Sequence, residues 1–383
     1  MPGACGYNGE LTRIEGQATR FASEHIAVRP GLASDTAFPV DLWQEMGRLG
    51  LLGISLPGEF GGQGQGYPAI AHAGRALSRS GGCLGIVLSW LMHQITGRFF
   101  IKGFGTGDQQ KTYLPDIAAG RTTVCIAISE PKVGGHPSHI ATSAERVVGG
   151  YCLKGEKAYL TNGPVAGAYI VLAVSGNMGA KKRFSAFLVP RDTPGLTVTG
   201  PVDFGFLRPC PHGGIVLDDC VVPEANLLGR PDSAYEDMAL PFREVEDTLM
   251  MGPVLGAQEA QLETLIACLK AHMLKPSEEI AVRLGEIRSH MSALELIVFE
   301  AVQRLEASEG SERLIPLVIS FRHLSHGIVS SFREVLVSSG VHTGSAYQVR
   351  ANDLEAVSRF AEHVSRLKQM KLGAALFSSG RVA

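Results

Sequence analysis

Between residues 121 and 232 the chain reads as short apolar or alternating runs: TTVCIAIS, YCLKGEKAYL, YIVLAVS, FSAFLVP, LTVTG and GIVLDDCVV. They are separated by the turn pairs Gly149-Gly150, Asn162-Gly163, Gly176-Asn177 and Pro194-Gly195. Runs bounded by Gly, Asn and Pro read as strands, and turns this short join antiparallel neighbours. No stretch of helical period lies between them. That excludes a doubly wound parallel sheet, in which each crossover needs a helix. The expectation is a small antiparallel sheet or barrel in the middle of the chain.

Both flanks carry the helical period. Leu11, Ile14, Ala18, Phe21 and His25 recur at helical steps, as do Leu42, Met46 and Leu49. This predicts amphipathic helices, broken at Pro30-Gly31 and at the glycine-rich loop LPGEFGGQGQGYP, residues 56–68. Residues 69–100 and 108–119 continue as helix. After Ser233 the period returns: Leu284, Ile287, Met291, Leu294, Val298, Ala301 and Leu305 form one stripe, with breaks at Pro276 and at residues 310–316. Asn352 with Glu355 has the form of a capping box opening the last helix. The expected class is α+β: an N-terminal helical domain (1–120), a central antiparallel β-barrel (121–232) and a C-terminal helical bundle (233–383).

Lys plus Arg number 35 against 37 Asp plus Glu, a formal charge of -2, so no global field draws the 383-residue chain to nucleic acid or to an anionic membrane. Any anionic ligand must be met locally. The cysteines (Cys5, Cys83, Cys125, Cys152, Cys210, Cys220, Cys268) are dispersed, with no C-x-x-C pair and no His at finger spacing. That usage suits reduced thiols in a cytoplasm and gives no metal site to expect. The start MPGACGYNGE lacks a basic segment followed by an apolar run, and the longest apolar run, residues 84–92, falls short of the roughly 20 residues of a membrane span. A soluble intracellular protein is expected.

Five phrases then follow in order: LPGEFGGQG at 56–64, FGTGDQQKTYLPDIAAG at 104–120, ISEP at 128–131, GEKAYLTNG at 155–163, and FLVPRDTPGL leading to GGIVLDDCVVPEANLLG. Two of them put the hydroxyls of Ser129 and Thr161 and the ring of Tyr159 at strand ends. Such groups suit the donor-and-acceptor edge and the flat face of a flavin. Strand-end hydroxyls also serve merely to satisfy backbone groups, so it is the order of the phrases that carries the reading. In that order they resemble the acyl-CoA dehydrogenase family, clearly over residues 10–260 and weakly beyond. The resemblance implies FAD, with Ile126, Ile128 and Ser129 along the ring, Tyr159 where the family usually has Trp, and Thr161 at the ring's reactive edge. It also implies α,β-dehydrogenation of an acyl thioester of CoA or of an acyl-carrier protein. Electrons would leave to an electron-transfer flavoprotein, and the assembly would be a homotetramer or dimer. The chemistry needs a carboxylate in a dry pocket to take the α-proton.

The last third departs from the family's pattern. Its Tyr-Glu-Gly-Thr phrase is absent from RFAEHVSRLKQMKLGAALF, where Glu362 falls on an amphipathic helix and receives no catalytic role. A minority of the family carries the base shortly before a Gly-Pro pair. Aligning PFREVEDTLMMGPVLGAQ on Gly252-Pro253 puts Val245 at that position, with Glu244 and Glu246 on either side and Glu246 the candidate base. Acids there also simply suit a helix N-terminus. Lys270 stands in the segment where the family grips the flavin's pyrophosphate from a neighbouring subunit; it keeps a charge without the fork of an arginine. The Gly-Gly turn before the family's last helix is reduced to Ser339-Gly340-Val341. The family's Gly-Ser-Asp, which borders the pantetheine and phosphates, is Gly134-Gly135-His136, so Gly135 and His136 are expected at the substrate entrance, with His139 nearby. Two other readings remain open: a non-catalytic or half-site subunit completed by a second homologous chain, and a related flavin oxidase or oxygenase.

Overall fold

The computed structural model describes residues 4–359 and 362–379. Helices α1 (Ala4–Phe21), α2 (Val40–Arg48), α3 (Tyr67–Gly81), α4 (Leu84–Ile95) and α5 (Gly107–Ala118) precede the sheet. Its strands are β1 (Val124–Ala127), β2 (Ser143–Val147), β3 (Gly150–Thr161), β4 (Ala168–Met178), β5 (Lys181–Pro190), β6 (Leu196–Val198), β7 (His212–Pro223) and β8 (Leu227–Leu228). Helices α6 (Leu240–His272), α7 (Glu278–Glu306), α8 (Ser311–Ser339), α9 (Ser345–Arg359) and α10 (Glu362–Ser379) complete the chain.

Local chemistry accounts for the helix ends. Thr106 and Gln109 form a reciprocal capping box at the start of α5. The Gln109 amide then donates to the carbonyls of Ala225 and Leu227, tying α5 to the last strand. Ser277 caps α7 by accepting from the Ile280 N–H. The run expected over residues 69–100 divides at Gly82, whose φ of 66° ends α3 in a left-handed cap. Helix α4 then continues into a π-helical turn, Thr96–Lys102. This helical run, Leu84–Lys102, is longer than the apolar stretch in the sequence and is long and apolar enough to cross a membrane, but 89% of it is buried within the protein. The expected capping box at Asn352 is overturned: α9 is already under way from Ser345, so Asn352 lies inside it.

The sheet runs β6-β7-β3-β2-β4-β5-β8, with β1 also on β4. Most pairs are antiparallel, but β1 and β2 lie parallel to β4, because the β2–β3 hairpin serves as the crossover that brings the chain back. No pairing joins β6 to β8 among the described residues, so the sheet curls without closing into the expected barrel. Gly176-Asn177 is not the turn between β4 and β5: both residues are paired within the ladder, just after a bulge at Ser175, and the chain reverses at Gly179, φ 62°. The sheet encloses its own core of Tyr151, Leu153, Tyr169, Val171, Phe187 and Ile215.

The helices before and after the sheet share the other core. On α7 the predicted stripe is buried from Ile287 to Leu305, its Ile, Met, Leu and Val side chains each contributing about 1.5–3 kcal/mol. Helices α3 and α6 touch backbone to backbone: a Cβ on Gly252 would stand 2.6 Å from the Ala71 carbonyl oxygen, and one on Gly256 2.1 Å from that of Arg75. Arg75 then binds Glu259 of α6 at 2.6 Å and Glu295 of α7 at 2.7 Å. This close packing fixes α6 against α3 and α7.

Candidate active site

Strand β3 carries one residue too many. Lys157 pairs with Ile215 and Leu160 with Gly213, so Ala158 and Tyr159 together face Gly214. Only glycine fits opposite this bulge, since a Cβ on Gly214 would meet the Lys157 carbonyl oxygen at 2.3 Å. Tyr159 takes φ 60°, uncommon for a bulky residue, and its half-exposed ring stands 6.1 Å from that of Phe204. Beneath it, the wholly buried Lys157 ammonium donates to Glu130 at 3.0 Å and to the Ile128 carbonyl at 3.1 Å. The Glu130 carboxylate also accepts from the N–H groups of Ala141 and Thr142 and from the Thr142 hydroxyl. Burial pulls Lys157 down to about 8 against the pull of Glu130. Burial raises the Glu130 carboxyl, but the hydrogen bonds and the Lys157 charge outweigh it and hold the group below its ordinary range. With the Ala158 N–H donating to the Ser129 carbonyl at 2.9 Å, the end of β1 and the bulge of β3 form one rigid wall.

Two cavities meet along this wall. The smaller, about 230 Å³, is bordered by Ile126, Ile128, Ser129, Gly135, Phe242 and Arg243. The larger, about 350 Å³, is bordered by Phe204, Phe206, His212, Met250, Phe321 and Arg322. Tyr159, Thr161, Glu246 and Asp247 border both. Neither the Ser129 nor the Thr161 hydroxyl has a protein hydrogen-bond partner among the described residues, although both stand on the otherwise satisfied wall. Free hydroxyls on two adjoining strand ends, an aromatic ring beside them and a void of this size fit a flavin ring.

Glu246 faces the wall from α6. In its first turns Phe242, Val245 and Leu249 are buried in the core, while Arg243, Glu246, Asp247 and Met250, at helical steps, border the cavities. Burial pushes the Glu246 carboxyl up to about 7; the neighbouring Asp247 charge adds to this, and Arg243 and Arg322 oppose it. Asp247 is itself clamped, accepting from Arg322 of α8 at 2.6 Å and from Lys368 of α10 at 2.9 Å. Arg322 also donates to the Ser365 hydroxyl at 2.5 Å, so α10 is pinned beside the site, where Val364 borders the smaller cavity.

The other expected residues divide. Gly135 borders the smaller cavity, whereas His136 is exposed, bonded to the Ser138 hydroxyl at 2.7 Å and 4.9 Å from the His139 ring, and borders neither. Glu244 borders neither and accepts from the Ser311 hydroxyl at the start of α8. Lys270 lies exposed in the last turn of α6, about 36 Å along the helix from Glu246 at 1.5 Å per residue. Gly340 is the left-handed cap of α8, also exposed and away from both cavities. Sequence reasoning missed Asp247, Arg322 and Lys368, which come from three helices and share no spacing. It also missed His212, opposite Thr161 on β7, whose Nδ1–H donates to the Cys210 carbonyl at 3.0 Å and which burial pulls below its ordinary value.

Sequence models of the acyl-CoA dehydrogenase N-terminal and middle domains match residues 8–121 and 125–220. An acyl-CoA dehydrogenase of Bacillus subtilis is 30% identical over 287 residues, 73% of this chain and 75% of that protein. The chain belongs to the acyl-CoA dehydrogenase family. The L-prolyl-[peptidyl-carrier protein] dehydrogenase of Pseudomonas fluorescens is 29% identical over 300 residues, 77% of this chain and 78% of that one. A glutaryl-CoA dehydrogenase from Mycobacterium smegmatis, solved in complex with FADH2, shares the fold with a TM-score of 0.83 at 23% identity, covering 98% of this chain and 95% of that one. The two domain matches end before α6, so in this member of the acyl-CoA dehydrogenase family the candidate base lies beyond the segments they identify.

Proposed function

We propose that the protein is an FAD-dependent dehydrogenase that introduces an α,β double bond into an acyl thioester, with Glu246 as its base. The observation that carries this reading is a carboxyl held near neutrality, at about 7, on the border of both cavities, sharing both with the free Thr161 hydroxyl and the smaller with that of Ser129. Ile126, Ile128, Ser129, Tyr159 and Thr161 would hold the flavin ring, in line with the FADH2 of the mycobacterial neighbour. Bound FAD supplies the oxidant, taking the hydrogen and electron pair that leave the β-carbon. Glu246 takes the α-proton on a carboxylate oxygen, and a base whose pKa matches the working pH combines ionisation with proton affinity. The Arg322 and Lys368 clamp ties up Asp247 beside it, which leaves Glu246 as the carboxyl with no ion pair among the described residues.

The thioester is carried by CoA or by a carrier protein. The relative named for an L-prolyl-carrier substrate makes a carrier-bound prolyl group the first to try. An electron-transfer flavoprotein would reoxidise the flavin. Because Lys270 and Gly340 are remote from the cavities of their own chain, we assign them to the dinucleotide of a neighbouring copy in a homotetramer or dimer. Glu246→Gln should keep bound flavin and lose its anaerobic reduction by thioester; reduction at the wild-type rate would remove Glu246 as the base. Oxygen uptake exceeding dye reduction would instead identify an oxidase.

A further inference from the structure

The mouth of the smaller cavity is basic in a chain whose net charge is -2. Arg243 borders the cavity and donates to the Gly135 carbonyl at 3.3 Å, which joins α6 to the loop of residues 131–139. Lys182 of β5 staples the same loop to the β4–β5 hairpin, donating to the carbonyls of Ser138 at 3.0 Å and Ile140 at 2.8 Å. Lys132 stands on the loop and Arg183 on the hairpin. None of Lys132, Lys182, Arg183 and Arg243 is paired with a carboxylate among the described residues. The acids at hand are engaged: Glu236 with Lys181 at 2.7 Å, and Asp232 with the Ser175 hydroxyl at 2.6 Å. Two apolar side chains stand exposed among these cations, Val133 at 38% and Met178 at 58%.

We propose that this rim is the docking surface for an acidic carrier protein whose pantetheine arm delivers the thioester past Gly135 and Arg243 toward Glu246. The inference rests on the dehydrogenase reading above and specifies its substrate. Charge alone would serve the phosphates of free CoA. Arg183 donates to the Met178 sulfur at 2.9 Å, so an exposed apolar side chain stands directly against a cation that no carboxylate neutralises; apolar surface beside such cations suits a protein interface, with area to bury and charge to steer an oppositely charged partner.

The test uses the FAD-loaded full chain, with a prolyl thioester carried on a peptidyl-carrier domain, on bare pantetheine and on CoA. In Lys132→Glu and in Met178→Glu the KM for the carrier-bound thioester should rise about tenfold with kcat unchanged, and in wild type it should rise with salt. The bare pantetheine thioester should be unaffected, which also shows that the variants fold. A carrier KM unmoved by both substitutions overturns the docking surface and leaves the dehydrogenase standing. An equal rise for the CoA thioester in Lys132→Glu overturns it too, by making the patch a phosphate site. If none of the three thioesters reduces the wild-type flavin, the reading beneath the proposal fails and takes the proposal with it.

Discussion

Replacing Glu246 by Gln should make the protein more stable, and more so at high pH. The Glu246 carboxyl lies at about 7 in the fold against an ordinary 4.5. At about 1.4 kcal/mol per pKa unit, ionising it in place costs the folded state about 3 kcal/mol, and water reaching a partly exposed side chain lowers this to about 2 kcal/mol. The sign follows from proton binding: between the two pKa values the folded state holds the proton more tightly than the unfolded chain. The stabilisation is therefore complete below the unfolded value and is lost as pH rises through about 7. Gln has the same shape and no charge to lose. Urea unfolding of wild type and Glu246→Gln, with FAD present at about pH 5 and about pH 8, should show the variant's advantage growing by about 2 kcal/mol between the two. An advantage equal at both pH values would refute the claim that this carboxyl is desolvated.

Three further outcomes are expected. Asp247→Asn removes a charge that raises Glu246 and frees Arg322 and Lys368, so the acid limb of the kcat/KM profile should move to lower pH, by roughly one unit. Lys157→Met strands the buried Glu130 carboxylate and should cost about 3–5 kcal/mol, read as a lower urea midpoint. Thr161→Val should weaken FAD binding by about 1 kcal/mol, or several-fold in Kd, as titrated by flavin fluorescence, with no loss of fold.

Periodicity made the three-part organisation legible, because α7 and the strands each bury one face and the sequence records which. It did not record the bulge of β3, since a register shift is a property of two strands; a glycine pair at Gly213-Gly214 is the only trace. Gly176 reads as a turn for the same reason, although it pairs with Arg183 beside the bulge at Ser175. Ser129, Tyr159 and Thr161 are legible as candidates because they lie in short contiguous phrases, and the fold brings them to one cavity wall. Glu246 was reached only within one residue of alternatives, and the fold separates them by burial: Val245 faces the core, Glu244 faces Ser311, and Glu246 faces the cavities. The clamp on Asp247 joins α6, α8 and α10 across long chain separations, which no local pattern encodes.

The most direct test of the account is anaerobic mixing of the FAD-loaded protein with an acyl thioester, followed in the flavin's visible absorption band. Wild type should bleach, and Glu246→Gln should carry the same flavin and stay coloured. A chain that takes up no FAD, or a Glu246→Gln variant that bleaches as fast as wild type, would contradict it.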